Sequence, residues 1–109
     1  MSAGVKHDGG KPPLGLLPRY PLEETARVLD FGARKYSAHN WRNGIGHQRV
    51  VNAALRHIYA WNEGEDNDTE TGLSHLAHAL CEIMFALEEH RTHPELDDRW
   101  KPNDRPASP

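Results

Sequence analysis

Apolar positions along this chain repeat at helical spacing in three stretches, and nowhere do they alternate as a strand requires over a useful length. Leu22, Ala26, Leu29, Ala33 and Tyr36 recur at steps of four, three, four and three, and Pro21 stands where a first helical residue belongs, so the pattern predicts a helix over about 21–36. Gly32 interrupts it at a cost of about 1 kcal/mol relative to alanine, which points to a close helix–helix contact or to a fraying last turn. Val50, Val51, Ala54, Leu55, Ile58 and Trp61 keep a 3.6-residue period and predict a second helix, about 48–62, with a wide buried face. Leu73, Leu76, Leu80, Ile83 and Leu87 define a third, longer helix, about 71–91, for which Asp68 or Thr69 would be the cap.

The connections complete this outline. A short acidic turn joins the second and third helices and makes them an antiparallel hairpin. Residues 37–47 form a polar connection carrying one large aromatic, Trp41. Gly9, Gly10, Pro12, Pro13, Gly15 and Pro18 keep the first nineteen residues out of helix and sheet, giving an extended arm whose Leu14, Leu16 and Leu17 are expected to pack onto something. After His93-Pro94 the composition turns to Asp, Arg, Pro and Asn, a tail anchored at most by Leu96 and Trp100. The expected fold is all-α: three main helices in an antiparallel bundle, one domain over 1–93 including the arm, and a flexible tail over 94–109. Three helices cannot cover both the wide face of 48–62 and the apolar sides of 73–87, so a homo-oligomer, dimer or tetramer, is expected to complete the bundle.

Composition narrows the function classes. A chain of 109 residues admits one domain. No run approaches the roughly 18 apolar residues of a membrane span, and the N-terminal stretch lacks the apolar segment of a signal peptide, so no membrane partner is expected and the expected compartment is the cytoplasm. The single cysteine, Cys81, cannot form an internal disulfide and fits a reducing compartment; between Leu80 and Ile83 its expected role is packing. The formal charge of −3 hides an asymmetry: residues 1–49 hold eight Lys/Arg and four Asp/Glu, whereas residues 50–93 hold two and eight. A basic half followed by an acidic half suits an anionic substrate and a divalent cation together, although an uneven solvated surface gives the same count. Duplex nucleic acid is a poor partner, because the acidic half would be carried towards a polyanion.

Two clusters carry candidate chemistry. His75, His78 and Glu82 fall at i, i+3 and i+7, along one line of the third helix. His57 shares a stripe with Val50, Ala54 and Trp61, and stands about as far before the hinge as His78 stands after it, so each lies about 10 Å up its helix. The hairpin should therefore bring His57, His75 and His78 into one inward layer below the acidic turn. Five carboxylates within eight residues, Glu63 to Glu70, repel one another unless they are solvated or hold a cation, and oxygen ligands of this kind suit Mg²⁺ or Mn²⁺. The turn is not an EF-hand loop, since Thr71 stands where its glycine belongs, and H-L-A-H lacks the spacing of a zincin helix. Lys11, Arg19, Lys35, Arg42 and Arg56 are the candidate phosphate contacts, and a purine could stack on Tyr36 or Trp41, unless Trp41 simply plugs the bundle.

The order K-H-D-G-G-K-P-P, then F-G-A-R-K-Y-x-x-H-N-W, then A-L-R-H-x-x-A-W-x-x-G-E-D-x-D-x-E-x-G-L-x-H-L-A-H-A resembles the phage dATP/dGTP diphosphohydrolase-like family, which is grouped with all-α MazG-type nucleotide pyrophosphohydrolases. The resemblance covers about residues 5–100 and places the protein, if phage-encoded, in the host cytoplasm. It implies a purine deoxynucleoside triphosphate as substrate, split to a monophosphate and pyrophosphate. Carried over by position, Lys11, Lys35, Tyr36, Asn40, Trp41 and His75 would bind substrate, and Glu65, Asp68 and Glu70 would hold Mg²⁺ or Mn²⁺. His57 or His78 would accept the proton, and Arg56 would neutralise developing charge. Typical MazG-type enzymes pair an E-x-x-E helix with an E-x-x-D helix; no E-x-x-E occurs here, and Glu63-x-x-Asp66 and Glu65-x-x-Asp68 match only the second half. Two rivals stay open beside the hydrolase: a non-catalytic nucleotide-binding protein, for instance a phage sponge for a signalling nucleotide, and a helical assembly module whose histidines knit subunits together.

Overall fold

The computed structural model describes residues 3–102, and within them the chain is all-helical. Three α-helices carry the fold: α1 (Arg19–Lys35), α2 (His47–Asn62) and α3 (His75–Thr92). Short 3-10 turns at Leu14–Leu16, Asn40–Asn43 and Pro94–Leu96 punctuate the arm, the first connection and the segment after α3.

α1 starts two residues earlier than its apolar period indicates. Pro21 lies within the first turn, where backbone N–H groups have no helical partner, so Arg19 and Tyr20 can precede it without losing a hydrogen bond. Its last turn closes with the Tyr36 N–H donating to the Gly32 carbonyl at 2.9 Å. A Cβ built on Gly32 meets no atom within 4 Å, which decides for the last turn and against a close helix contact.

α3 begins later than expected, and the reason lies in the hinge. Asp68 does not cap a helix. Its Oδ1 accepts from the N–H groups of Glu70 and Thr71, both at 2.9 Å, and Gly72 takes a left-handed φ of 71°. Asn67 and Ser74 then pair as an isolated antiparallel bridge. Only at Ser74, whose Oγ accepts from the Leu76 N–H at 3.1 Å, does the chain turn helical. Residues 63–74 are thus a folded loop with its own hydrogen bonds.

α3 is the central helix. It packs against α2 along the hairpin and against α1 on another side. Ala77, Ala79 and Cys81 are all buried, and residues two apart cannot share one helical face, so α3 must be enclosed from more than one direction. With Val50 and Ala54 of α2 they make a core of small side chains. The larger residues that announce α3 in the sequence stay outside: Leu76, Ile83 and Leu87 are exposed, Leu87 by 75%. Leu55 and Tyr59 of α2 are exposed as well. On the arm Leu14, Leu16 and Leu17 are exposed and gain no cover from the rest of this single chain.

The segment after α3 folds back on the hairpin's open end. Asp98 Oδ1 accepts the Gln48 N–H at 2.8 Å, supplying to the start of α2 the cap that Gly46 cannot. Leu96 sits against Gly44, whose φ of 105° and lack of a side chain are both required, since a Cβ there would lie 2.7 Å from Leu96 Cδ1. Residues 94–102 of the expected tail are therefore described in part as packed chain, and residues 103–109 lie outside the described residues. No described helix is long and apolar enough to cross a membrane.

Gly32 yields a direct test. Replacing it with alanine removes backbone freedom without meeting a neighbour, so Gly32→Ala is expected to raise stability by up to about 1 kcal/mol, a thermal shift of a few degrees upward. A lower melting temperature would mean that another surface packs closely on that turn.

Candidate active site

The hairpin sets His57 of α2 level with the first two turns of α3. The His57 and His78 rings stack with centroids 4.5 Å apart and planes 11° from parallel. His57 Nδ1 lies 2.9 Å from His75 Nδ1, and His75 Nε2 lies 2.6 Å from Glu65 Oε1. A carboxylate only accepts, so His75 donates from Nε2 to Glu65; its Nδ1 is then an acceptor for the His57 Nδ1–H, and His57 keeps a free lone pair on Nε2. A second chain runs beside the first. His78 Nε2 is 2.7 Å from Thr71 Oγ1, and that hydroxyl donates to Asp68 Oδ1 at 3.3 Å. His78 thereby donates from Nε2 and keeps its Nδ1 lone pair.

Burial chiefly lowers the affinity of His57 for a proton, with further lowering from His78 and His75; Asp68 acts in the opposite sense. Burial also lowers His78 most, opposed by Asp68. Asp68 is pushed up by its own burial, yet the Thr71 and Glu70 backbone donors, with His78, hold it below the ordinary aspartate value. The result is one ionised carboxylate facing imidazoles that prefer to be neutral. Glu82, one turn beyond His78, is pushed up to about 7 by burial; Arg56 pulls it down and Glu89 adds to the rise.

His57, Asp68, Thr71, His78 and Glu82 open onto a cleft of about 860 Å³ between α1, the first connection and the hairpin, within the range of small-molecule sites, whereas His75, expected to contact substrate, is buried outside its lining. Lys35, Tyr36, Asn40, Trp41, Asp68, Glu70, His57, His78 and Glu82 all line it. Lys35 spans its mouth to Glu70, Nζ to Oε1 at 2.7 Å, a pairing that raises the lysine's proton affinity. Tyr36 presents an exposed ring with Lys35 Nζ 5.5 Å from its centroid. Trp41 is less free: its ring stacks on Phe85 at 4.5 Å and carries the Arg42 guanidinium 4.5 Å from its centroid. The plug reading fits Trp41, and Tyr36 is the open stacking surface.

Other residues singled out in the sequence stand apart. Lys11 is exposed on the arm and does not line the cleft, and Arg56 is exposed on α2 outside it. Glu65, Asp68 and Glu70 do not converge on one another. Glu65 is behind His75, Glu70 is on Lys35, and the side chains whose ligand atoms fall within 4.8 Å of one another are His57, Asp68 and His75. Three contributors escaped the sequence reading: Thr71, Arg49 in the cleft wall, and His39, whose φ of 64° is left-handed and whose Nδ1 accepts from Arg42 Nε at 2.9 Å. Thr71 was visible only as a residue at the wrong position for an EF-hand.

The helical hairpin thus holds paired imidazoles beside an acidic hinge, under a cleft edged by Lys35 and Arg49. Residues 1–99 match the family model described as dATP/dGTP diphosphohydrolase, N-terminal, and the chain belongs to that family. It is 43% identical over 97 residues to a dATP/dGTP diphosphohydrolase of Salmonella phage PMBT28, an alignment covering 88% of this chain and 33% of that protein. The chain thus spans about a third of the curated relative's length. No solved structure matches it.

Glu82 tests the electrostatics of the cleft. Between its ordinary value of 4.5 and about 7 the folded protein holds a proton that the unfolded chain has released, so this stabilisation is complete below 4.5 and lost as pH rises through 7. In melts from pH 5 to 8, Glu82→Gln is expected to gain on the parent protein as pH increases. A difference flat with pH would show an ordinary carboxyl.

Proposed function

We propose that the chain hydrolyses a purine deoxynucleoside triphosphate to the monophosphate and pyrophosphate, with a divalent cation held by His57, His75 and Asp68. The observation that carries this reading is the placement of Glu65 behind His75, 2.6 Å from Nε2, while Nδ1 is turned to His57 at 2.9 Å. A carboxylate that fixes a ligating imidazole through its other nitrogen is the usual support of a metal-bound histidine. With the His57 proton shifted from Nδ1 to Nε2, both Nδ1 atoms, 2.9 Å apart, would offer lone pairs to one cation. Two nitrogens and one carboxylate favour Mn²⁺ or another transition ion over Mg²⁺. A cation held by these residues would supply Lewis acidity towards a phosphoryl oxygen and towards water.

The remaining steps belong to the chain's own residues. Lys35, released from Glu70, and Arg49 face the cleft and neutralise the phosphates. Tyr36 offers its ring to the base. His78 accepts a proton at Nδ1, with Thr71 and Asp68 fixing its tautomer from the far side. The exposed Leu55, Tyr59, Ile83 and Leu87 are covered by a second copy of the chain, as the narrow core of one copy requires.

Pyrophosphate release from dATP and dGTP with Mn²⁺ tests the activity. Glu65→Gln is expected to lower cation affinity or turnover by about 10–100-fold. Nucleotide bound tightly and recovered intact under both Mn²⁺ and Mg²⁺ would replace the hydrolase with the non-catalytic binder. Light scattering is expected to give at least twice the chain mass, and Leu87→Asp to reduce it; a monomeric parent would remove the second copy.

A further inference from the structure

The arm that precedes α1 has a defined shape and no support from its own chain. Every residue from Ala3 to Leu22 is exposed, Val5 by 83% and Leu16 by 82%. The arm's backbone hydrogen bonds are local: the Lys11 N–H donates to the Asp8 carbonyl at 3.1 Å, and the Leu16 and Leu17 N–H groups donate to Pro13 and Leu14, both at 3.0 Å. Gly10, at a left-handed φ of 80°, takes the third place of the Asp8–Lys11 turn, where glycine is favoured, and the turn ends on Lys11. An apolar segment fixed by Pro12, Pro13 and Pro18 and held off its own body is preorganised for another surface.

The cleft lacks what the arm carries. α1 is its least covered wall: Thr25 is the one buried residue of that helix, and Val28, Leu29 and Phe31 stay half-buried where they line the cleft. Among the described residues the cations of the lining are Lys35, Arg42 and Arg49; Lys35 is paired with Glu70, and Arg42 lies over the Trp41 ring. Asp30, Asp68 and Glu70 stand against them, so the lining by itself offers a polyphosphate no net positive charge. The arm holds Lys6, Lys11 and Arg19 against Asp8. It leaves α1 at Arg19, about 24 Å of helix from Lys35, so its cations start at the far end from their own cleft mouth. A two-fold axis perpendicular to α1 exchanges those ends between two copies.

We propose that the arm is exchanged between two copies of the chain: Leu14, Leu16 and Leu17 of one copy cover Val28, Leu29 and Phe31 of the other, and Lys6 and Lys11 supply the missing cations of that copy's cleft. The ligand class is a polyphosphate, and its site is built from two chains. This rests on the second copy and the phosphate-binding cleft proposed above, and not on turnover.

Zero-length carbodiimide coupling tests the exchange on the full chain, with ¹⁵N-labelled and unlabelled protein unfolded and refolded together in equal amounts. Peptides joining Lys6 or Lys11 to Asp30, Asp68 or Glu70 are expected, and random pairing of copies makes about half of them hybrids of one labelled and one unlabelled strand. Both lysines are exposed, so Lys6→Ala with Lys11→Ala leaves packing intact. That double variant, measured by calorimetry without refolding, is expected to bind inorganic tripolyphosphate at least about tenfold more weakly at unchanged mass. Links confined to wholly labelled or wholly unlabelled pairs, no arm-to-cleft link in a dimeric parent, or equal tripolyphosphate affinity in parent and double variant would each overturn the exchange. A monomeric parent removes it together with the second copy, whereas hybrid links with nucleotide recovered intact support it and remove only the hydrolase.

Discussion

The contact between His57 and His75 is the constraint on which the rest of the molecule turns. It crosses from α2 to α3, and through Glu65 it reaches the hinge that joins them, so one relay fixes the hairpin's register and the shape of the loop. A slip of one residue in either helix would rotate an imidazole by about 100° and break it. Asp68 fixes the same loop from inside, since its carboxylate satisfies two backbone donors that would otherwise seek helical partners. The hinge is therefore part of the site, and a shorter or regular turn could not present Glu65, Asp68 and Thr71 to the two helices at once.

Placing polar groups at the centre leaves little room for an apolar core. The inward line of α3 runs His75, His78, Glu82, Phe85 and Glu89, at steps of three, four, three and four. Glu89 is completely buried, and one oxygen accepts the Ile45 N–H at 3.0 Å, tying the first connection to α3. The other oxygen has no partner. Groups of this kind define a geometry at a cost in stability, because each loses hydration that its hydrogen bonds only partly replace. Small side chains such as Ala77, Ala79 and Cys81 let the helices come close enough for those bonds, and the large apolar residues are displaced to the outside as a consequence.

That displacement explains which features were legible in the sequence. Helical period identified α1, α2 and α3 to within a few residues, because period records that a helix has two unlike faces. On α3 it did not separate the buried small residues from the exposed large ones. Leu76 and Leu87, whose period defines α3, are exposed, whereas Glu89, in a run of charged residues, is buried. Its place on the line through His75 and Glu82 was the available signal. Level positions about the hinge brought His57 and His78 together correctly, since rise per residue alone decides that distance. The carboxylates of the turn were harder, because their directions depend on the Asp68 turn, the left-handed Gly72 and the Asn67–Ser74 bridge, none of which has a periodic signature. Gln48 and Asp98 are fifty residues apart in sequence and meet only because the last segment reverses.

The charge state of the centre follows from the same economy. Burial keeps His57 and His78 inclined to the neutral form and brings Glu82 up to about 7, so near neutral pH these three groups resist carrying charge. Asp68 keeps its charge instead, because backbone N–H groups from its own turn stabilise the carboxylate where no lysine or arginine does. Lys35, in the cleft wall, is paired with Glu70. Imidazole lone pairs beside the fixed Asp68 carboxylate form an environment that penalises a proton, since protonation of either stacked ring opposes protonation of the other. A cation held there as proposed would compete with protons for the same lone pairs, so acid would weaken its binding through the imidazoles themselves.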